Sequence, residues 1–157
     1  MSTPVPLQLT ICRVGELAQQ LKTNQFDAII SIKDPYNNPL YAMKKQRKRA
    51  AQLAKHCAAV LCLDFEDDEF VPAEVVAAIV EFATKLPDGT RLLVHCMAGR
   101  CRSTAAAIIA LRVKGMDYAS AQAEVLRVRP IAAPNLAMLR LYAQTMAQDS
   151  AAPQMAE

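Results

Sequence analysis

The chain has 157 residues, of which 53% are hydrophobic and 21% charged, with four Gly and nine Pro. That composition describes one globular domain and excludes collagen-like, low-complexity and wholly disordered chains. The formal net charge of +3 is too small to demand nucleic acid or an anionic membrane as partner, so charge has to be read locally.

Leu7, Leu9 and Ile11 alternate with polar residues, and Ala28-Ile29-Ile30-Ser31-Ile32 is a short apolar run rich in β-branched side chains; both predict strands, with a short helix over Glu16 to Lys22 between them. Asp34-Pro35-Tyr36-Asn37-Asn38-Pro39 has turn chemistry and reads as a loop able to wall a pocket, ahead of a helix start. Ala58 to Leu63 and Leu92-Leu93-Val94 are further apolar runs of strand length, and continuous apolarity predicts a parallel sheet covered on both faces. From Pro72, the residues Val75, Val76, Ile79, Val80, Ala83 and Leu86 recur at helical spacing until Pro87-Asp88-Gly89, which predicts a crossover helix. Beyond residue 96 the chain reads as helical: Thr104 to Lys114, apolar on nearly every side and therefore the central buried helix, then Tyr118 to Arg129, then Pro134 to Gln148.

The expected fold class is α/β, with a central, mostly parallel sheet of four to five strands flanked by helices and a helical C-terminal half. One domain is expected over residues 1–148 and a flexible C-terminal tail over residues 149–157. Met1 to Leu9 lacks a basic segment followed by an apolar stretch, and no run of 18 apolar residues occurs, so the expectation is a cytoplasmic protein with no transmembrane segment. Five cysteines at irregular spacing, with no Cys-x-x-Cys pair, fit neither a disulfide framework nor a zinc site, and reduced thiols are expected.

Two charge clusters stand out. Lys44 to Arg49 places five cations in six positions and Asp64 to Glu69 five acids in six. Each is either a solvated face or a working one.

The chemistry concentrates after the last strand, in His95-Cys96-Met97-Ala98-Gly99-Arg100-Cys101-Arg102-Ser103-Thr104. From the chain's own composition, His-Cys, then five residues, then Arg arises in roughly 0.4% of shuffles, and requiring Ser or Thr next lowers that about tenfold. The other His-Cys dipeptide, His56-Cys57, has Leu63 where the Arg would stand. A loop of this length between a strand and a helix N-terminus can turn its N–H groups on one centre, where they and the helix dipole attract a phosphate dianion. The same field favours a thiolate at Cys96, making it a nucleophile. Arg102 can hold two phosphate oxygens in its planar fork, and Ser103 can hydrogen-bond the sulfur.

This loop resembles the signature of the cysteine-dependent protein tyrosine phosphatases, and the chain's size is most similar to the dual-specificity branch, over residues 7 to 146. The resemblance implies a protein tyrosine phosphatase-like fold and a phosphomonoester hydrolase that works through a phosphocysteine, with no metal and no cofactor. Its substrate is a phosphorylated protein or another phosphomonoester, and nucleic acid is not expected as partner. Cys96, Arg102, Ser103 and a general acid would be catalytic, with Met97, Ala98, Gly99, Arg100, Cys101 and Arg102 binding phosphate. Aligned strand end to strand end, the family's acid falls on Asp67, with Asp64 and Asp68 as alternatives. Asn135, in Pro134-Asn135 after Arg129-Pro130, resembles the family's Asn that braces the phosphate loop, and His95 becomes a hydrogen-bonded support beneath it.

Cys101 departs from the commonest pattern and resembles the low-molecular-weight tyrosine phosphatase loop; it is either a redox partner for Cys96 or a small packing residue. Arg100 stands where phosphoinositide phosphatases of the superfamily carry Lys. Phosphotyrosine, phosphoserine or phosphothreonine, and phosphoinositide substrates all stay open, as does a module that binds phosphate without turnover. Oligomeric state is not legible.

Overall fold

A computed structural model describes residues 5–155. Four strands, β1 (Leu7–Arg13), β2 (Ala28–Lys33), β3 (Ala59–Asp64) and β4 (Thr90–Cys96), form one parallel sheet in the order β1-β4-β2-β3. The continuous apolar runs fit that sheet because both faces are covered: Ala28, Ile29, Ile30 and Ile32 are all fully buried.

Strand alternation divides the side chains between two layers. Cys12, Ile29 and Leu93 point to the face covered by α1 (Leu17–Thr23) and α2 (Pro39–Leu53), where they pack with Phe26 and Leu53. Leu7, Ile11, Ile30, Leu92 and Val94 point to the other face and the main core under α3 (Ala73–Thr84), α4 (Arg102–Val113), α5 (Tyr118–Val128) and α6 (Leu136–Met155). The central helix is α4. Ala105 to Leu111 are completely buried, and four alanines there let α3, α5 and α6 approach closely.

The helix bounds depart from the sequence reading in three places. α2 is a full helix started by Pro39 and capped by Asn38, whose Oδ1 accepts from the N–H of Leu40 (3.0 Å) and of Tyr41 (3.1 Å). α4 begins at Arg102, two residues before the expected start, because the loop after β4 feeds directly into its first turn. α6 runs on to Met155, so the tail expected from Asp149 is helical over its described part; residues 156–157 lie outside the described residues. Among the described residues no helix is long and apolar enough to cross a membrane.

Candidate active site

The site lies where β4 ends and α4 begins. Every carbonyl of the connecting loop from Met97 to Cys101 is taken from outside. Met97 O accepts from Val14 N (3.4 Å), Ala98 O and Gly99 O from the Arg129 guanidinium (3.5 and 2.9 Å), Arg100 O from Ala133 N (2.9 Å), and Cys101 O from Asn135 N (3.0 Å). Thr104 Oγ1 adds bonds to Arg100 O (2.6 Å) and Cys101 O (3.1 Å). With its carbonyls fixed outward, the loop turns its N–H groups inward, which is the geometry of an anion cradle.

Gly99 permits this curl. Its φ is +63°, and a Cβ there would sit 2.7 Å from Arg13 N and from the Cys12 carbonyl carbon, both immovable backbone atoms at the end of β1.

Cys96 is buried, with Sγ 3.1 Å from Ser103 Oγ. Burial pushes its thiol up, but hydrogen bonds from the Ser103 hydroxyl and from the N–H groups of Ser103, Arg100 and Gly99 outweigh it, holding the pKa below the ordinary thiol value. The sulfur thus already uses the donors that a phosphate would.

Arg102, the first residue of α4, is buried. Nη1 donates to Asp34 Oδ1 (2.7 Å) and to Phe65 O (2.6 Å), while Nε and Nη2 have no protein partner among the described residues. Asp34, in the loop expected to wall the pocket, therefore aims the fork and leaves one edge for an anion.

Asp64, one of the alternatives for the acid, is held in an ion pair. It points to the α2 face, where Oδ1 accepts from Arg49 Nη2 (2.7 Å) and Oδ2 from Gln46 Nε2 (3.3 Å). Asp67 is exposed; its Oδ1 accepts from Asn135 Nδ2 (2.8 Å), which also donates to Asp68 O (3.1 Å). Asn135 thus links the acidic segment to the phosphate loop, with its own N–H on Cys101 O and its Oδ1 accepting from Met138 N (3.0 Å). Cys101 is half-buried at the cap of α4, and burial, then the nearby Asp67, raises its pKa. All five cysteines are free thiols in this structure. Met97 and Arg100 are exposed at the rim. A cleft of about 650 Å³ opens beside Asp67, between Phe70 and Arg140; its lining includes Asn135 but not Cys96.

Beneath the loop, His95 belongs to a polar relay that sequence spacing does not reveal. Arg49 donates through Nε to Ser31 Oγ (3.0 Å), and Ser31 Oγ lies 2.6 Å from His95 Nε2. Arginine only donates, so Ser31 Oγ accepts from Arg49 Nε and keeps a second lone pair and its own hydrogen for the contact with Nε2. Nδ1 is buried without a well-formed hydrogen bond among the described residues. Burial first and Arg49 second press the His95 pKa down to about 4, against an opposing pull from the Cys96 main chain. His95 therefore stays neutral at physiological pH.

This has a consequence for stability. The unfolded chain takes up the His95 proton near pH 6.5 and the folded one only near 4, so acidification through that window favours unfolding, by about 3 kcal/mol in all. Urea titrations from pH 7 to pH 4 should show the loss, and His95→Asn should flatten it; an equal slope in the variant rules His95 out as its source.

No family model and no curated protein matches the sequence. Solved structures do. Human DUSP28 is 22% identical with a TM-score of 0.57, over 94% of this chain and 96% of that one. The Cydia pomonella PTP-2 phosphatase is 22% identical with a TM-score of 0.60, over 89% and 86%. PTPMT1, solved in complex with PI(5)P, is 18% identical with a TM-score of 0.58, over 93% and 94%. The chain has the fold of these phosphatases. At these identities the likeness establishes architecture, and the chemistry rests on the side chains described above.

Proposed function

We infer that this protein hydrolyses phosphomonoesters through a phosphocysteine, as a protein tyrosine or dual-specificity phosphatase. The observation that carries the reading is the Cys96 sulfur set among inward N–H groups at the mouth of α4, whose first residue, Arg102, keeps one edge of its guanidinium unpaired by protein among the described residues. Cys96 attacks phosphorus in line while the loop amides of residues 97 to 102 and Arg102 stabilise the equatorial oxygens. Asp67 gives its proton to the departing oxygen, and Ser103 stabilises the sulfur when it leaves in the second step. Water, deprotonated by Asp67, then attacks phosphorus and releases inorganic phosphate and the free thiolate.

A phosphoinositide substrate is the second reading, favoured by the exposed Arg100 at the rim and by the likeness to PTPMT1, which was solved with PI(5)P. Turnover of an aryl phosphate in the presence of chelator tests the hydrolase reading. Wild type should turn over and Cys96→Ser should not. Metal-dependent turnover, or an active Cys96→Ser, contradicts it, and phosphate binding without turnover by wild type points to a capture module. The ratio of rates on phosphotyrosine peptide, phosphothreonine peptide and phosphoinositide then ranks the substrates.

A further inference from the structure

We propose that the outer face of α2 docks the protein on an anionic lipid surface, presenting the phosphate cradle to phosphate esters carried there. Only the second half of this statement rests on the phosphatase reading; the docking stands on α2 itself.

Residues 42, 46, 49 and 53 of α2 face the sheet, where Arg49 is tied to Asp64 and Ser31 and Leu53 is buried. Leu40, Met43, Lys44 and Arg47 follow the i, i+3, i+4, i+7 spacing of the opposite face. That face is uncovered: Leu40 is 78% exposed and Met43 49%. Next to them Tyr41 is exposed, with the Tyr36 ring edge-on to it at 5.0 Å and Lys45 Nζ 5.4 Å from its centroid. No acidic residue occurs between Pro39 and Leu53, and of the helix's five cations only Arg49 pairs with a carboxylate among the described residues.

Charge complementarity calls for an anionic partner. The apolar and aromatic side chains call for one with an apolar interior under its charged surface, which a bilayer has and an RNA or acidic peptide lacks. Leu40 and Lys48 are about 12 Å apart along the helix axis, so one interface engages both the apolar tip and the cations.

The fold directs this surface to the site. α2 starts beyond the C-terminal end of β2, at the sheet edge where β4 delivers Cys96, and Asp34 in the connection between β2 and α2 holds Arg102. Of the acids near this surface, Asp34 is paired with Arg102 and Asp64 with Arg49, while Asp67 and Asp68 are fastened by Asn135 to the start of α6, in the other layer.

Sedimentation of the full chain with phosphatidylserine–phosphatidylcholine vesicles, and with phosphatidylcholine vesicles alone, tests the docking without reference to turnover. Binding to the anionic vesicles and not to the neutral ones is expected. A Lys44→Gln, Arg47→Gln, Lys48→Gln variant should weaken it roughly a hundredfold, at about fivefold per cation. Leu40→Ser with Met43→Ser, at unchanged charge, should weaken it at least about tenfold. Both variants alter only exposed side chains, and unchanged melting temperatures and soluble aryl phosphate turnover would verify their fold. Failure to bind anionic vesicles overturns the docking, as does binding indifferent to Leu40→Ser with Met43→Ser, or preferential retention on RNA or polyglutamate. If vesicles bind while aryl phosphate is not hydrolysed, the phosphatase reading falls and the docking stands.

Discussion

Gly99→Ala will reduce phosphate turnover below detection and destabilise the fold by about 3–5 kcal/mol, the cost of a left-handed alanine together with a forced steric overlap. The overlap is with main chain: a Cβ at this position meets Arg13 N and the Cys12 carbonyl carbon at 2.7 Å and the Cys12 oxygen at 2.8 Å. Those atoms belong to β1, which is locked to β4 from Leu7↔Thr90 to Arg13↔Cys96, so the phosphate loop has to give way. When it does, the bonds from Arg129 to Gly99 O and Ala98 O are lost, and the N–H groups they hold inward turn away from Cys96. The Cys96 thiol should rise toward its ordinary pKa, readable as slower alkylation by iodoacetate at neutral pH. Turnover in Gly99→Ala close to wild type would show that the cradle does not depend on this curl.

Asp67→Asn should cost between about 10² and 10⁴ in kcat on an alkyl phosphate, whose leaving oxygen needs a proton, and much less on an aryl phosphate with an acidic phenol. The isosteric change preserves the contact with Asn135 while removing the exchangeable proton, so a loss graded by leaving-group pKa reports proton donation and not a collapsed segment. Asp68→Asn should stay within about threefold of wild type, since Asp68 meets Asn135 through its main-chain oxygen. A larger and leaving-group-dependent loss in Asp68→Asn would transfer the role to that residue.

The sheet and the phosphate loop were legible for physical reasons. Continuous apolar runs such as Ala28 to Ile32 mark strands buried on both faces, and the unbroken apolarity of Ala105 to Leu111 marks the helix that everything packs around. The His-Cys to Arg spacing is local, so it survives in the sequence as a pattern. The relay under the loop left no such trace. The inward face of α2 carries Gln46 and Arg49 because it meets the polar Ser31 and Asp64 on the sheet, and a helix that buries polar groups against polar groups has no hydrophobic periodicity. Arg129 and Asp34 act across the fold, on Gly99 and Arg102, and nothing in their own neighbourhoods announces either contact. Asn135 reaches Cys101 O through its main-chain N–H and Asp67 through its side chain, and contacts across the fold leave no local pattern in the sequence.

Whether the Cys96 sulfur accepts a phosphoryl group can be answered in one measurement: mixing the protein with an aryl phosphate, quenching in acid within a single turnover, and mapping the added phosphoryl mass by peptide sequencing. That mass is expected on the peptide containing Cys96, at the sulfur, and is expected to be absent from Cys96→Ser. A turning-over enzyme that never carries phosphoryl, or carries it on another side chain, would contradict it.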